Sequence, residues 1–351
     1  MVKKLTSIFP ILILLIFLTT GCGSINSPGF RGGACYWKNQ TRFNLQTRPA
    51  QSQSSSLNVL NPKTIDLMSN VLEEFNGDIY IAGSINGIAW YEKNGQVFIL
   101  DGTKANDIYV SGEDIYVAGR CQQGSAYYAC YWKNGERFML DYGAYTYKIF
   151  VKDSVVYVAG EYNDNGILAC YWVNGEKVNL NGHGAFGIFV DGTDVYVSGD
   201  YFVRDDPYEF HACYWKNGVR FDLDNMTTGE IFVKDSQAYT SGWGKTNDKA
   251  SAIVVEGTDV YTAGAFDREI SPKLNTTTPC YWKNGQLFRV SIPSSTDPAE
   301  SGEIYDISVS GSDVFLVGQW WNNRMYSEGL WFNGNFIPTY GLPNAVFVVR
   351  H

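Results

Sequence analysis

A short segment recurs along this chain at a spacing of about 40 residues. Cys130 and Cys170 are 40 positions apart, and Cys170 and Cys213 are 43 apart. A fixed period of this size is typical of a repeat architecture, so we expect a fold built from copies of one unit. The clear copies read Ala-Cys-Tyr-Trp-Lys-Asn-Gly with at most one change and lie at Ala129–Gly135, Ala169–Gly175, Ala212–Gly218 and Pro279–Gly285; degenerate copies lie at Ala34–Gln40, Ala89–Gly95 and Gly329–Gly334.

Each unit is predicted to contain four short strands. The unit from Lys148 to Leu180 has four apolar runs, with tight turns at Lys152–Ser154 and at Asn174-Gly175. Asn-Gly between apolar runs is a strong hairpin signal because both turn positions need a positive φ. The strands are apolar on both faces, which favours burial between two neighbouring sheets. Four antiparallel strands per unit predict an all-β chain folded as one β-propeller with four-stranded blades.

The number of blades follows from the predicted first strands. We expect eight blades with one stunted, because only 22 residues separate the first strands at Phe232 and Val254; seven is the alternative if that short unit is not a blade. No helix is predicted in the body, and residues 46–56 are expected to form an exposed loop. The opening strands, Ala34–Leu45, and the closing strand, Ala345–Val349, are expected to complete one blade together, which would leave no open sheet edge. The expected first strands lie near Val71, Tyr109, Phe150, Phe189, Phe232, Val254, Ser308 and Phe347.

The N-terminus has the pattern of an export signal. Lys3 and Lys4 precede the apolar run Ile8–Leu18, which is too short to span a membrane, and Thr-Thr-Gly leads into Cys22. This junction resembles a bacterial lipoprotein processing site, which implies that Cys22 is lipidated and becomes the first mature residue. The alternative is an ordinary cleaved signal. The expected organisation is a signal peptide over 1–21, a tether over 22–33 and the propeller over 34–351, anchored stably by two or more acyl chains.

Six cysteines remain beyond Cys22, and their positions argue against a disulfide framework. Five of them occupy the same position of the repeat, so they should lie one blade apart and act as small buried hydrophobic residues. Cys121 lies outside the pattern. In a hairpin that turns at Gly124 it should face Tyr127 rather than Cys130, although a bridge between Cys121 and Cys130 stays open.

Charge and motifs limit the classes of function. The formal charge of −9 becomes about −11 without Lys3 and Lys4, which argues against nucleic acid as a partner. The three histidines, His183, His211 and His351, fall in different units, and no phosphate loop or nucleophile elbow is present. We therefore expect no cofactor, no metal site and no evident catalytic set.

The most informative functional signal is the unequal length of the loops. The connection between the second and third strands varies from eight to seventeen residues, whereas the other turns within a unit stay tight. Variable loops on a rigid scaffold commonly carry function, and these loops should share one face of the ring. An alternative interpretation is that Tyr162, Tyr201, Phe266 and Trp320 share a repeat position and only cap the blades. The candidate ligand-binding residues are Tyr162, Asp200, Tyr201, Asp205, Asp206, Trp243, Phe266, Trp320 and Trp321.

Two further readings concern carboxylates on this face. Asp200, Asp205 and Asp206 have oxygen ligands that suit calcium, but their spacing matches no calcium loop, so a solvated acidic loop is the preferred interpretation. Glu161, Asp200 and Asp267 have the residue types that a glycosidase needs. Of the aromatic candidates, Trp243 and Trp321 fit the repeat least well and are the better binding candidates.

The mature chain resembles a class of bacterial lipoproteins built from Cys-Tyr-Trp-Lys-Asn-Gly repeats with Val-Tyr-Val-Ala-Gly strands. The resemblance implies a propeller and export, and it assigns no catalytic residue. We expect a lipid-anchored, non-enzymatic binding or scaffold protein at the cell envelope, on the periplasmic or surface side, with a glycan, a peptide or an envelope protein as ligand. The alternative is a glycan-active enzyme, a hydrolase or lyase, that uses carboxylates on the loop face. A purely structural envelope protein is the third reading.

Overall fold

The protein folds as a ring of antiparallel sheets, as a propeller requires. The computed structural model describes residues 32–38, 41–44, 62–203, 206–223, 227–244, 249–271, 274–290, 301–321 and 326–351. Side chains are described within 67–202, 210–223, 228–242, 249–266, 276–290, 301–321 and 326–351. The predicted loop at 46–56 and the lipidation site Cys22 lie outside these residues.

Five sheets have four strands each. In four of them the strands follow the chain order, as an up-and-down blade does. Their bounds are β6 (Lys104–Ser111), β7 (Asp114–Gln123), β8 (Ala126–Lys133) and β9 (Glu136–Tyr142); β10 (Tyr145–Lys152), β11 (Val155–Asn163), β12 (Ile167–Val173) and β13 (Glu176–Asn179); β14 (Gly184–Asp191), β15 (Asp194–Val203), β16 (Asp206–Lys216) and β17 (Val219–Asp222); β24 (Ser301–Ser310), β25 (Asp313–Trp321), β26 (Tyr326–Phe332) and β27 (Asn335–Pro338); and, in the fifth sheet, β28 (Leu342–Arg350) beside β3 (Gly77–Ile85), β4 (Ile88–Lys93) and β5 (Gln96–Ile99).

The sixth sheet has eight strands. Two parts of it are joined by a single residue pair, Trp243 with Lys249. The described strands of the ring therefore form six hydrogen-bonded sheets. The expected number of eight blades is wrong, and the alternative of seven blades does not match the six sheets either. The strands are β18 (Thr227–Lys234), β19 (Gln237–Gly244), β1 (Gly32–Lys38) and β2 (Thr41–Asn44) in one part and β20 (Lys249–Glu256), β21 (Asp259–Ser271), β22 (Leu274–Lys283) and β23 (Gln286–Arg289) in the other.

One expected first strand is a helix. Val71 lies in α1 (Pro62–Phe75), although no helix was predicted in the body. Met68, Val71 and Phe75 are buried at helical spacing, and Phe75 packs against Phe315 with ring centroids 4.7 Å apart. The prediction of eight blades counted this apolar run as a strand, because a short apolar run can belong to either element.

The two chain ends complete different sheets, so the expected single closing blade is wrong. The terminal strand β28 pairs with β3 and supplies the first strand of that sheet. The opening hairpin β1–β2 pairs with β19 instead. Strands β18 and β19 are the short unit that was expected to be stunted, and the hairpin supplies its two outer strands. Both ends do close sheet edges, which is the physical requirement that motivated the prediction.

The apolar half of the repeated segment holds neighbouring sheets together. Cys130, Cys170, Cys213 and Cys280 are fully buried and none is in a disulfide, as expected for small hydrophobic residues. Trp132, Trp172, Trp215 and Trp282 are fully buried as well. In three of these four segments the tyrosine between them stacks on a phenylalanine of the fourth strand, as Tyr131 does on Phe138 at 4.9 Å, whereas Tyr171 lies opposite Val178. Cys121 lies opposite Tyr128 in the ladder, next to Tyr127, and its thiol contacts the Tyr128 carbonyl oxygen at 3.8 Å and Met139 Sδ at 3.2 Å; it forms no disulfide with Cys130.

The polar half of the segment fixes the hairpins. In the sheet of β6–β9, Asn134 Oδ1 accepts a 2.8 Å hydrogen bond from the Ile115 N–H, and its amide donates to Asp114 at 2.7 Å. Lys133 pairs with the same Asp114 at 2.7 Å. Asn134 and Gly135 both have positive φ, which is why this turn requires Asn-Gly. The recurring motif is therefore explained by structure and does not itself mark a binding site.

The first strands surround the axis of the ring. Each contacts the next in a closed cycle, in the order β28, β6, β10, β14, β18, β20 and β24. Aromatic side chains follow this cycle: Tyr109 contacts Phe347 and Phe150 at 5.0 and 4.9 Å, and Phe189 contacts Phe150 and Phe232 at 4.7 Å each. Each first strand also has a register shift near its start. Such bulges commonly re-aim side chains near functional sites.

Candidate active site

One face of the ring, called here the loop face, carries the starts of the first strands and the ends of the second strands. On this face Tyr145 pairs with Glu161 in the β10–β11 ladder, and Gly184 pairs with Asp200 in the neighbouring β14–β15 ladder. Glu161 and Asp200 therefore hold the same position in adjacent sheets. This repetition brings two carboxyl groups of the predicted glycosidase set to the loop face together.

Glu161 lies in an environment that favours its protonated form. The side chain is almost fully buried, and burial raises its pKa, while the Tyr147 hydroxyl and His183 lower it. The Asp200 carboxylate raises it again, so the two acids lie close enough to interact. Tyr147 comes from the register shift of β10 and packs edge-on against Phe186 with centroids 5.3 Å apart. A carboxylic acid with a raised pKa, next to a hydroxyl, has the properties of a general acid.

Asp200 has a different set of neighbours. Its Oδ1 accepts a hydrogen bond from the Gly184 N–H at 3.0 Å and lies 3.3 Å from His183 Nδ1. His183 packs edge-on against Phe202 and Phe210, with ring centroids at 4.6 and 4.9 Å. The Gly184 N–H and the His183 ring therefore fix the orientation of the Asp200 side chain. The site thus combines one carboxyl that favours protonation with one held among hydrogen-bond donors.

A buried charged cluster lies next to the register shifts of the first strands. Its central residue, Lys148, directly follows Tyr147 in β10. Lys148 Nζ is 3.0 Å from Asp107 Oδ1 and 3.7 Å from Asp306 Oδ1, and it also pairs with Glu230. Burial raises the pKa of Asp107 to about 6 and that of Glu230 to about 8, with Lys148 opposing both shifts. The acids also bind the next strand, since Asp107 Oδ2 accepts from the Ile149 N–H at 2.7 Å. This cluster ties four first strands together beneath the candidate site.

Four of the predicted aromatic candidates have structural roles. Tyr162, Tyr201 and Phe266 each lie under a cation of their own sheet: Lys177 at 3.8 Å, Arg220 at 3.6 Å and Arg289 at 5.2 Å from the ring centroid. Trp320 shares this position and is fully buried. These contacts correspond to the alternative interpretation, in which the shared position caps the blades. Phe266 and Trp320 have no exposed surface to offer a ligand.

The remaining candidates are only partly described. Trp321 pairs with Tyr326 at the loop face and is half-buried, so part of its ring reaches solvent. The backbones of Trp243, Asp206 and Asp267 lie in strands, but their side chains fall outside the described residues, as does all of Asp205. Among the residues that are described, no group of three His, Cys, Asp or Glu side chains is arranged to hold a metal ion. The calcium hypothesis for Asp200, Asp205 and Asp206 is therefore untested.

Sequence reasoning did not find Tyr147 and His183, which complete the site. Tyr147 stands at a position that is Asn106, Phe186 or Tyr305 in other units, so nothing in the repeat marks it. His183 lies in a connection between sheets, whereas the predictions concentrated on the loops between second and third strands. The feature that sets Tyr147 apart is the register shift of β10. A β-bulge of this kind cannot be recognised in the sequence of one repeat, so the sequence held no signal for Tyr147.

Comparison with known proteins gives no family assignment. No family model matches the chain. No curated protein matches it either. The chain is similar in fold to a GH43_1 enzyme from Xanthomonas citri complexed with xylose, at 7% identity and a TM-score of 0.35, over 79% of this chain and 96% of that one. It is also similar to an α-L-arabinanase from Cellvibrio cellulosa (8%, TM-score 0.32, 64% and 89%) and to a mutant Aleuria aurantia lectin in complex with alpha-methyl-L-fucoside (10%, TM-score 0.33, 76% and 96%).

These neighbours correct the expected function. Glycoside hydrolases and arabinanases recur among them, which agrees better with the glycan-active alternative than with the preferred non-enzymatic binding or scaffold protein, although one neighbour is a lectin in complex with a fucoside. We therefore set the binding or scaffold reading aside. Likeness at TM-scores near 0.3 carries no argument about the chemistry of this chain, so the activity has to be argued from its own residues. In the part of the chain that the structure describes, no helix is both long and apolar enough to cross a membrane.

Proposed function

We propose that this protein is a glycan-active enzyme, a glycoside hydrolase, with Glu161 and Asp200 as its reacting carboxyl groups. The observation that carries the proposal is the pairing of two acids from adjacent sheets in contrasting environments at one face of the ring. Burial raises the pKa of Glu161, and Asp200 is held by the Gly184 N–H and His183. Two carboxyl groups of this kind are the common requirement of glycoside hydrolysis.

The proposed chemistry assigns one task to each acid. Glu161 gives its proton to the glycosidic oxygen as the bond to the anomeric carbon breaks. A water molecule adds to that carbon, and Asp200 accepts the proton that the water loses. Tyr147 positions Glu161 through its hydroxyl, and His183 positions Asp200. The bond between the anomeric carbon and the glycosidic oxygen breaks, and a bond between that carbon and the water oxygen forms. Glu161 loses one proton to the leaving oxygen, and Asp200 gains one proton from the water.

The test is turnover of a panel of chromogenic glycosides and dye-labelled polysaccharides. We expect Glu161→Gln and Asp200→Asn each to lower kcat by about 10²–10⁴-fold, because each removes an acid–base group. We expect the pH profile to lose its basic limb in Glu161→Gln, since the raised pKa of that acid sets this limb.

Matched controls lie on the opposite face. Glu113 and Asp191 stand in or beside the tight turns between first and second strands, so Glu113→Gln and Asp191→Asn should retain wild-type turnover. Absence of turnover on every substrate, or full activity in both site variants, would exclude this assignment.

We also infer that the eight-stranded sheet amounts to two blade units, β18–β19–β1–β2 and β20–β23, because only one residue pair joins them and the cycle of first strands passes through both.

We further propose that Cys22 carries a lipid and that the protein is held at the cell envelope of a bacterium. The basic and apolar segments before Thr-Thr-Gly-Cys support this anchor. The partners are then a membrane, through the lipid, and a glycan.

A further inference from the structure

Two cations stand beside the candidate site with no carboxylate to balance them. Lys104 and Arg120 face each other in the β6–β7 ladder, at the loop face of the sheet next to that of Glu161. Within the described residues neither makes an ion pair, whereas Lys93, Lys133, Lys216 and Lys283 all pair with an aspartate. In a chain with a net charge of −9, an unpaired pair of cations at this place needs an explanation.

Arg120 is held in a fixed orientation. Its Nε donates to Thr103 Oγ1 at 3.3 Å, and its Nη1 donates to the Tyr145 hydroxyl at 3.4 Å. The guanidinium carbon lies 4.5 Å from the ring centroid of Tyr127 and 5.4 Å from that of Tyr145. These contacts leave guanidinium N–H groups that no described acceptor takes, and they place the charge between two tyrosine rings.

Both rings are open to solvent. Tyr127 is 43% exposed and Tyr145 is 41% exposed, which is unusual beside the tyrosines of the repeated segment, which are buried. The apolar faces of sugar rings stack on exposed aromatic rings of this kind, and a tyrosine hydroxyl adds a polar contact at the edge. Tyr127, Arg120 and Tyr145 together are called the tyrosine–arginine platform.

The platform adjoins the proposed reacting groups. Tyr145 is the ladder partner of Glu161, so the same residue pair joins the two sites. Lys104 completes the positive side. Although Lys104 is an exposed residue, partial burial of its charge and repulsion by Arg120 lower its pKa, so an anion placed here would be stabilised. The loop face therefore has the two cations on one side of Glu161 and the Asp200 carboxyl group on the other.

We propose that the tyrosine–arginine platform binds a sugar ring that carries a carboxylate, so that the substrate is an oligosaccharide containing uronic acid. The sugar stacks on Tyr127 and Tyr145, and its carboxylate binds Arg120 and Lys104 through charge-assisted hydrogen bonds. This inference rests on the proposed function for the position of the scissile bond, but the binding step does not depend on turnover.

The test compares charged and neutral forms of the same sugars. Glu161→Gln is titrated with trimers of galacturonic, mannuronic and glucuronic acid and with the methyl ester of each, which keeps the ring and removes the charge. We expect at least one acid trimer to bind ten-fold or more tightly than its ester, and the difference to shrink at high salt. Arg120→Gln should abolish the preference, Tyr145→Ala should weaken acid and ester alike, and the control Arg137→Gln, on the fourth strand of the same sheet, should change neither.

The outcomes separate this inference from the proposed function. Equal affinity for every acid and its ester, no binding of any trimer, or an unchanged preference in a folded Arg120→Gln would overturn it. If neutral glycosides are hydrolysed in a manner that depends on Glu161, the proposed function stands while the uronate subsite fails. If acid trimers bind as expected but Glu161→Gln turns them over as fast as the wild type, the subsite stands and the hydrolase assignment fails.

Discussion

At the scale of single residues, two exceptions to the repeat are compensated by a second change. Where the other hairpins join a lysine to an aspartate, the sheet of β10–β13 has Val173 and Val155 at the two positions, so neither charge is left alone. In the sheet of β24–β27, Phe332 replaces the lysine, and Arg350 of the terminal strand pairs with Asp313 instead. Because a buried or half-buried charge without a partner is costly, such paired changes are expected. Lys104 and Arg120 break this rule, which is why they indicate a ligand.

The charged cluster around Lys148 predicts a dependence of stability on pH. Burial and the neighbouring Asp306 raise the pKa of Glu230 above its ordinary value of 4.5 to about 8, and Lys148 opposes the shift. The folded state therefore binds a proton that the unfolded state releases. The stabilising contribution is complete below about pH 4.5 and is lost as the pH rises through about 8. The wild-type free energy of unfolding should fall across this range.

The measurement is urea denaturation between pH 5 and pH 9. We expect Glu230→Gln to flatten the profile relative to wild type by on the order of a few kcal/mol, since its amide cannot titrate. The difference between the two proteins is the quantity to follow, because Asp107, Glu92 and Glu161 also have raised pKa values. Glu113→Gln, an exposed carboxyl outside the cluster, is the control. Parallel profiles for wild type and Glu230→Gln would refute the assignment.

At the scale of elements, the sequence predicted the strands well and their partners less well. The hairpins at Asn-Gly and the burial of the Cys-Tyr-Trp strands follow from local pattern, and the structure has them. The partner of β1 could not be read, because a strand with the same residue pattern fits beside any second strand of the ring. Helix α1 was missed because its few apolar residues also suit a strand. In its sheet Glu92 stands where other sheets have tryptophan, and α1 packs nearby around Trp90.

The candidate site was predictable only in part. Glu161 and Asp200 were named with Asp267 as carboxylates on the loop face, but nothing in the sequence singled them out from other acidic residues there. For Tyr162, Tyr201, Phe266 and Trp320 the sequence left binding and capping of the blades open, and their contacts with cations or their burial agree with capping. Arg120 was missed because its significance depends on the two tyrosines from other strands that surround it. Contacts between sheets of this kind cannot be read from one sequence.

The terminal strand should be essential to the ring. Val346 is buried, its N–H donates to Asp306 Oδ2 at 2.9 Å, and Phe347 packs on Tyr109. Deleting residues 345–351 removes a first strand and opens edges on β3 and in the cycle of first strands. We expect the melting temperature in calorimetry to fall by at least 10 °C, or cooperative unfolding to disappear.

Two comparisons keep this prediction sharp. Adding the synthetic peptide 342–351 should restore the melting transition of the truncated protein, which separates a missing strand from general misfolding. Deleting the hairpin at 32–44 should be less harmful, because β1 and β2 are outer strands. A truncated protein that melts as the wild type does would show that β28 is dispensable.

At the scale of the whole molecule, the position of β1 relates the proposed anchor to the proposed site. Gly32 pairs with Gly244 at the loop face, so the chain enters the ring on the side that carries Glu161. Only ten residues, 22–31, separate Gly32 from a lipid on Cys22, and such a segment spans at most about 35 Å. A lipidated protein would therefore hold its loop face close to the membrane surface.

The anchor is tested by Cys22→Ser. The substitution removes the thiol that would carry the lipid, so we expect the protein to leave the membrane fraction and to lose label from radioactive palmitate. Its melting temperature should equal that of the wild type, because Cys22 precedes the first strand. Membrane partitioning that persists in Cys22→Ser would contradict lipidation at this residue.

The pairing of the opening hairpin with β19 sets the order in which the protein can mature. Trp37 is matched with Thr240, about 200 residues later in the chain. At ordinary rates of synthesis, those residues take roughly 10–40 s to follow, so β1 waits that long for its partner β19. During that interval the hairpin is an unsatisfied edge attached to a nascent chain. A cell that makes this protein must keep its beginning from associating with other chains until β19 has been made.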